Sequence, residues 1–192
     1  MSVNSNALHS FVDESMRQDK GLYLMAAVVA DPDECDSVRD DLRKLLKGRQ
    51  KRLHWRDEDA PRQRKIATAV GKITLSSVVV IGAPMDPKRQ ERARRVCMER
   101  LYMELWELGV GSIFQEQRTP SLNKHDHKMR DALRSQKAIP DELRVEFAQP
   151  NEEPMLWIPD AVAGAVGQSR AGVNDYLELM VHTVREIDIT LR

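Results

Sequence analysis

Two strand-like apolar runs set close together near the N-terminus constrain this chain more than any other feature. Leu8-His9-Ser10-Phe11-Val12 ends in the carboxylates Asp13 and Glu14, and after the polar Arg17-Gln18-Asp19-Lys20-Gly21 a second run, Leu22 to Ala30, begins. That spacing predicts a β-hairpin. Side chains alternate along a strand, so Phe11 and Asp13 share one face while Val12 and Glu14 share the other. Only one of the two acids can then point into a given site, and Asp13 is the one expected there. A carboxylate at the end of a central strand is costly to bury unless it is paired or bound to a cation, which makes Asp13 a candidate metal ligand. The plainer account is an exposed strand end carrying ordinary charges.

A chain of 192 residues is expected to form one domain, over 1–192, with a full core. It has no apolar run of about 18 residues and no signal-peptide pattern, so a cytoplasmic location and no membrane partner are expected. Cys35 and Cys97 lack metal-ligand spacing and are expected as free thiols.

The net charge is zero, yet residues 43–100 hold 17 Lys/Arg against 6 Asp/Glu. The densest basic run ends in Lys51, Arg52 and Arg56, with His54 and Trp55 embedded. Basic clusters neutralise phosphates and an interleaved aromatic can stack on a base, so these five residues are candidate nucleic-acid contacts. Solvated helix faces lying against the acidic parts of the chain are the alternative.

The remaining segments alternate in character. Residues 31–72 read as a helical insertion, with Pro32 and acids opening one helix that Gly48 ends, and a second helix reaching Gly71. Thr74 to Ala83 is a β-branched strand. A long helix spans Pro87 to Leu108, and Val110 to Gln117 is a strand carrying Glu116 near its C-terminal end. Residues 121–137 are expected to be helical and Leu143 to Ala148 to be a fifth strand. The apolar segment from Pro154 to Val166 contains the lone acid Asp160, either a helix-start residue or an acid that needs a partner. A terminal helix is expected within 173–192.

With the insertion removed, the order is strand-strand-strand-helix-strand-helix-strand-helix, that of ribonuclease H-like folds: an α/β mixed five-stranded sheet flanked by helices. Such folds draw their acids from the first strand, the fourth strand and the start of the last helix. Asp13, Glu116 and Asp160 stand in those elements.

The same residues carry a resemblance. Phe11-Val12-Asp13-Glu14-Ser15, the aliphatic run 22–30 followed by Asp31-Pro32, Leu53-His54, and Ile158-Pro159-Asp160-Ala161-Val162-Ala163-Gly164-Ala165 together resemble the domain of unknown function 3800 family, a bacterial and phage group considered ribonuclease H-like. The family pattern has Gly where this chain has Met16, Gln where it has Trp157, and commonly Asp in the fourth strand where it has Glu116. The resemblance implies a class of chemistry, two-metal phosphodiester hydrolysis. Hard cations such as Mg²⁺ or Mn²⁺ take oxygen ligands, and converging carboxylates can hold two of them about 4 Å apart. Asp13, Glu116 and Asp160 would be the ligands, with a fourth acid from Glu14, Glu91 or Glu99.

His54 is a candidate to orient a phosphate or move a proton, and His9 shares the face of Asp13. His125-Asp126-His127 looks like a metal motif but reads better as surface, and His182 as structural or exposed. Two functions of different class follow: a metal-dependent nuclease gripping nucleic acid through the basic segment, or an interaction module for nucleic acid or protein that has lost catalysis, as Met16 and Trp157 allow. The apolar late helix and the terminal segment offer a surface to a second copy of the chain.

Overall fold

The computed structural model describes residues 8–180 and 183–191. The chain is α/β, with one six-stranded mixed sheet in the order β5-β4-β1-β2-β3-β6 and helices on both faces. The strands are β1 (Leu8–Arg17), β2 (Leu22–Ala30), β3 (Ser76–Ala83), β4 (Val110–Glu116), β5 (Arg144–Ala148) and β6 (Val184–Thr190). The helices are α1 (Cys35–Arg43), α2 (Ala60–Lys72), α3 (Gln90–Glu107), α4 (Pro120–Ser135) and α5 (Trp157–Ser169).

The N-terminal hairpin forms as the polar turn requires. Gly21 adopts φ 61°, a left-handed conformation that suits glycine, and its N–H donates to Gln18 O at 3.2 Å. β1 and β2 then pair antiparallel from His9↔Ala30 to Arg17↔Leu22. β2 is buried from Tyr23 onward, which is why it reads as an unbroken apolar run rather than an alternating one. β1 pairs parallel with β4, β4 with β5, and β3 with β6, so only β2 runs against the other strands.

Strand alternation divides the core in two. Phe11, Leu24, Ala26 and Val28 face α1, α2 and α5; Val12, Tyr23, Met25 and Ala27 face α3 and α4. α3 presents Ala93, Cys97, Leu101 and Leu105 at helical spacing to the second core. Between β2 and β3 the chain forms α1 and α2, which cover the first face. Both cysteines are free and buried.

The end of the chain departs from expectation. The sheet has six strands rather than five, and where a terminal helix was expected in 173–192 the described residues form a short 3-10 turn, Leu177–Leu179, and then β6. The physical reason is a period of two. Ile187, Ile189 and Leu191 pack on the second core, while Glu186 and Asp188, on the other face, pair with Arg170 at 2.6 and 2.9 Å. His182 lies outside the described residues. Among the described residues no helix is long and apolar enough to cross a membrane.

Candidate functional site

Strand register brings the first two acids together. Phe11 pairs with Phe114 and Val12 with Gln115 across β1 and β4. The rings of Phe11 and Phe114 stack at 5.2 Å with an interplanar angle of 17° on the α5 face. Two residues further along each strand, Asp13 and Glu116 project from that same face. α5 packs across β1 and β2 through Ile158, Ala161, Val162 and Ala165, and its first turn supplies Asp160. The helix entry is fixed by the Trp157 indole, which donates to Pro150 O at 2.7 Å.

Asp13 and Glu116 feel their acidic neighbours. Burial, then the charges of Glu116 and Asp160, push the Asp13 carboxyl well above the usual range; Asp13 also shares a hydrogen bond with Glu116, and Arg94 opposes the shift. Glu116 is raised as well, by burial and then by Asp160, against the opposing Arg52, the hydrogen bond from Asp13, and His54. Arg52 Nη1 stands 3.7 Å from Glu116 Oε1. Like charges collected in a poorly solvated site favour protonation unless a cation compensates them.

Asp160 is held by the segment before α2. Its Oδ2 accepts the Trp55 backbone N–H at 2.7 Å and lies 3.3 Å from His54 Nδ1. That hydrogen bond, against partial burial, raises the His54 pKa. Trp55 is seated by Gly164: a Cβ at that position would fall 2.1 Å from Trp55 Cδ1. The indole also meets Tyr176 edge-on at 5.3 Å.

Other expected site residues lie elsewhere. Glu14 is on the opposite face, where it contacts Arg94 and the Tyr23 hydroxyl. Arg94, itself buried, donates to both oxygens of the fully buried Asp126 at 2.8 and 3.1 Å. Arg118 bonds Asp126 and continues to Glu91 at 2.7 and 3.1 Å. Glu14 and Glu91, two of the residues considered for a fourth acid, are thus committed to arginines. Glu99 on α3 forms no ion pair among the described residues.

Trp55 is corrected as a stacking residue, because it is only 5% exposed and is used up as packing between α5 and Tyr176. Lys51 and Arg56 are exposed, and Arg52 and His54 are half-buried. Asp126 points inward while His125 and His127 are exposed, since successive helical residues project about 100° apart; His127 packs against Phe147 at 4.6 Å. His9 packs edge-on against Phe114 at 5.2 Å, four residues and about 13 Å along the strand from Asp13. Burial lowers its pKa.

The Arg94–Asp126–Arg118 network escaped sequence reasoning. Its signal is one charged residue on the buried stripe of each of two helices: Arg94 among Ala93, Cys97 and Leu101, and Asp126 among Asn123 and Leu133. Buried charges on apolar stripes need each other.

The donor chemistry of Asp13, Glu116 and Asp160 fits a hard divalent cation, which would relieve the repulsion that raises Asp13. Among the described residues no group of three or more His, Cys, Asp and Glu is already disposed to hold a metal ion. Asp13 and Glu116 lean on each other, and Asp160 is tied to Trp55 and His54. Asp160 borders a cavity of about 410 Å³, and Asp13 and Glu116 border one of about 230 Å³. Neither a protein-family model nor a curated protein matches the chain.

Proposed function

We propose that the chain is a ribonuclease H-like, divalent-metal-dependent nuclease that hydrolyses phosphodiester bonds of nucleic acid. One observation carries the reading: β1, β4 and α5, far apart in sequence, deliver Asp13, Glu116 and Asp160 to one end of one sheet face, close enough that the charges of the other two raise the proton affinity of Asp13. A structural acid is normally matched by a base; a cluster of acids beside a cleft is matched by a ligand. The strand order, with β1 between β4 and β2 and only β2 reversed, supports the fold reading.

Mg²⁺ or Mn²⁺ bound by the three acids would lower the pKa of a water and stabilise the charge on the leaving oxygen. The chain's own residues do the rest. Asp13 and Glu116 between them can hold one proton or release it. His54, anchored by Asp160 and facing the cleft, is placed to carry a proton to the ester oxygen as the P–O bond breaks. Arg52 and Arg56 bring positive charge to the substrate phosphates.

A second reading, an interaction module without catalysis, draws support from Asp160, whose Oδ2 is already occupied by the Trp55 N–H. Calorimetric titration of Mn²⁺ into the wild type and into D13A/D160A separates the two. The nuclease reading expects binding that the double variant loses, followed by metal-dependent cleavage of DNA or RNA. No heat at millimolar metal, with both proteins melting cooperatively, sinks it.

A further inference from the structure

The two cavities at the acids are chambers of one groove. The larger and the smaller share Glu14, Ser15, Met16, His54 and Arg56, so they meet along the end of β1. A third, of about 530 Å³, continues from the smaller across Glu116 and Arg118 to Arg52. The groove therefore runs across the carboxyl ends of β4 and β1, directly over the acids.

Five arginines line it among as many carboxylates, Asp13, Glu14, Asp19, Glu116 and Asp160. Arg52 and Arg118 stand at one end, Arg56 at the middle and Arg17 at the other. Three of these already face carboxylates: Arg52 lies 3.7 Å from Glu116, Arg17 lies 3.6 Å from Asp19, and Arg118 binds Glu91. Arg56 differs. It is exposed, it pairs with no acid among the described residues, and it is the arginine that lines both the 410 and the 230 Å³ chambers.

We infer, on the nuclease reading above, that the substrate is a single strand of nucleic acid. It is threaded along this groove with the backbone phosphate nearest the acids held by Arg56 and one nucleotide seated in the 410 Å³ chamber.

Depth decides against a duplex. A double helix carries its phosphates on a convex surface, which suits acids standing proud of the protein. Here the side chains of Asp160 and Glu116 keep only 13% and 26% exposure. They open into chambers that the His54–Arg56 segment and the end of β1 also line. A single strand can descend into such a groove because its backbone bends and its bases turn aside. The chamber has the volume of a small-molecule pocket. Its wall is polar, with Ser15, Asp19, Gln63 and Gln168 among the lining residues. That wall suits a base bearing donors and acceptors better than an apolar ligand.

The test measures binding in EDTA, so it does not depend on metal or on turnover. Short fluorescein-labelled single strands of DNA and RNA and their matching duplexes are titrated by fluorescence anisotropy with wild type, R56Q and R95Q. Arg95 is an exposed α3 residue on the opposite face of the sheet. Single strands are expected to bind at least about tenfold more tightly than duplexes. R56Q should weaken single-strand binding by roughly tenfold, the worth of one charge-assisted phosphate contact. It should also flatten the slope of log K against log salt by about 0.7. R95Q should match the wild type. Duplex binding as tight as single-strand binding, an R56Q variant that binds like the wild type, or no binding of any strand overturns the inference. Failure of Mn²⁺ to bind would remove the nuclease reading and leave this result standing, so the two are separately decided.

Discussion

The Trp55 indole occupies the space that a side chain on residue 164 would fill, Cδ1 standing 2.1 Å from where a Cβ would lie. This contact locks the segment before α2 onto α5, and the same segment's backbone N–H then reaches Asp160 at 2.7 Å. Local sequence in one loop and the absence of a side chain in a distant helix together position an acid of the candidate site.

G164A follows directly. Alanine in a helix is favoured over glycine by about 1 kcal/mol, but forcing a methyl group into a buried ring costs about 1–3 kcal/mol. Net destabilisation is expected, with displacement of Trp55. Urea denaturation measures the first, and the chemical shift of the Trp55 backbone amide reports the second. A variant more stable than the wild type would show that the indole yields freely.

Trp55 itself separates packing from polarity. W55F keeps an aromatic ring and removes an Nε1–H that has no partner among the described residues, so its stability should lie within about 1 kcal/mol of the wild type. W55A opens a cavity beside Tyr176 and should cost about 3–5 kcal/mol. Equal losses in the two variants would assign the indole N–H a bond that the geometry lacks.

Asp13 is expected to destabilise the fold at neutral pH in the absence of metal. Its folded pKa is raised, so the folded state binds a proton that the unfolded chain has already released. Stability therefore falls as pH rises from the unfolded value, about 3.9, up to the folded one, and the penalty is complete above it. D13N carries no such charge. It should melt higher than the wild type at pH 8, by about 2–4 °C for each kcal/mol relieved in a chain of this size, and the difference should shrink toward pH 4. Saturating Mn²⁺ should raise the wild type and leave D13N unmoved.

His54 shifts in the same direction, so stability again falls as pH rises, but here because a favourable charge is lost rather than an unfavourable one gained. Its folded pKa is raised, chiefly by the hydrogen bond to Asp160, so its contribution is fully present below the unfolded value near 6.5 and is lost as pH rises through the folded one. D160N should lower the His54 pKa, read from its ring proton shifts by NMR, and should destabilise more at pH 5 than at pH 8.

Asp126 anchors the far side of β1. D126A leaves the buried Arg94 without its bidentate partner and should cost about 3–5 kcal/mol, whereas replacing both residues by apolar ones, R94M/D126L, should recover most of that loss. Guanidinium melts of the three proteins suffice, and a double variant as weak as D126A would show that Glu14 and Arg118 cannot be left behind.

The hairpin, the buried β2 and the faces of Asp13 and Glu14 were legible because alternation and turn chemistry are local. β6 was not, because Val184 to Thr190 carries charges at Arg185, Glu186 and Asp188 that are compensated from distant positions, Arg185 by Glu104 on α3 and the two acids by Arg170 at the end of α5. The convergence of Asp13 with Glu116 was accessible from strand order, since parallel neighbours place equivalent residues side by side. The burial of Trp55 was hidden: its environment is made by Gly164 and Tyr176, more than a hundred positions away, and the surrounding basic residues pointed to a surface. The Arg94–Asp126 pair was hidden for the same reason, each charge looking like an ordinary exposed one until its partner is known.

The order in which the acids occur along the chain bears on how the protein comes into being. Asp13 is made first, Glu116 past the midpoint and Asp160 near the end. During synthesis the growing sheet can pair β1 with β2 unopposed, and the first like-charge meeting, of Asp13 with Glu116, comes when β4 joins β1. The charge of Asp160 is added to theirs when α5 docks, so the step that completes the group of acids is also the one that cations in the surrounding medium would most assist, and a nascent chain lacking α5 carries no complete candidate site.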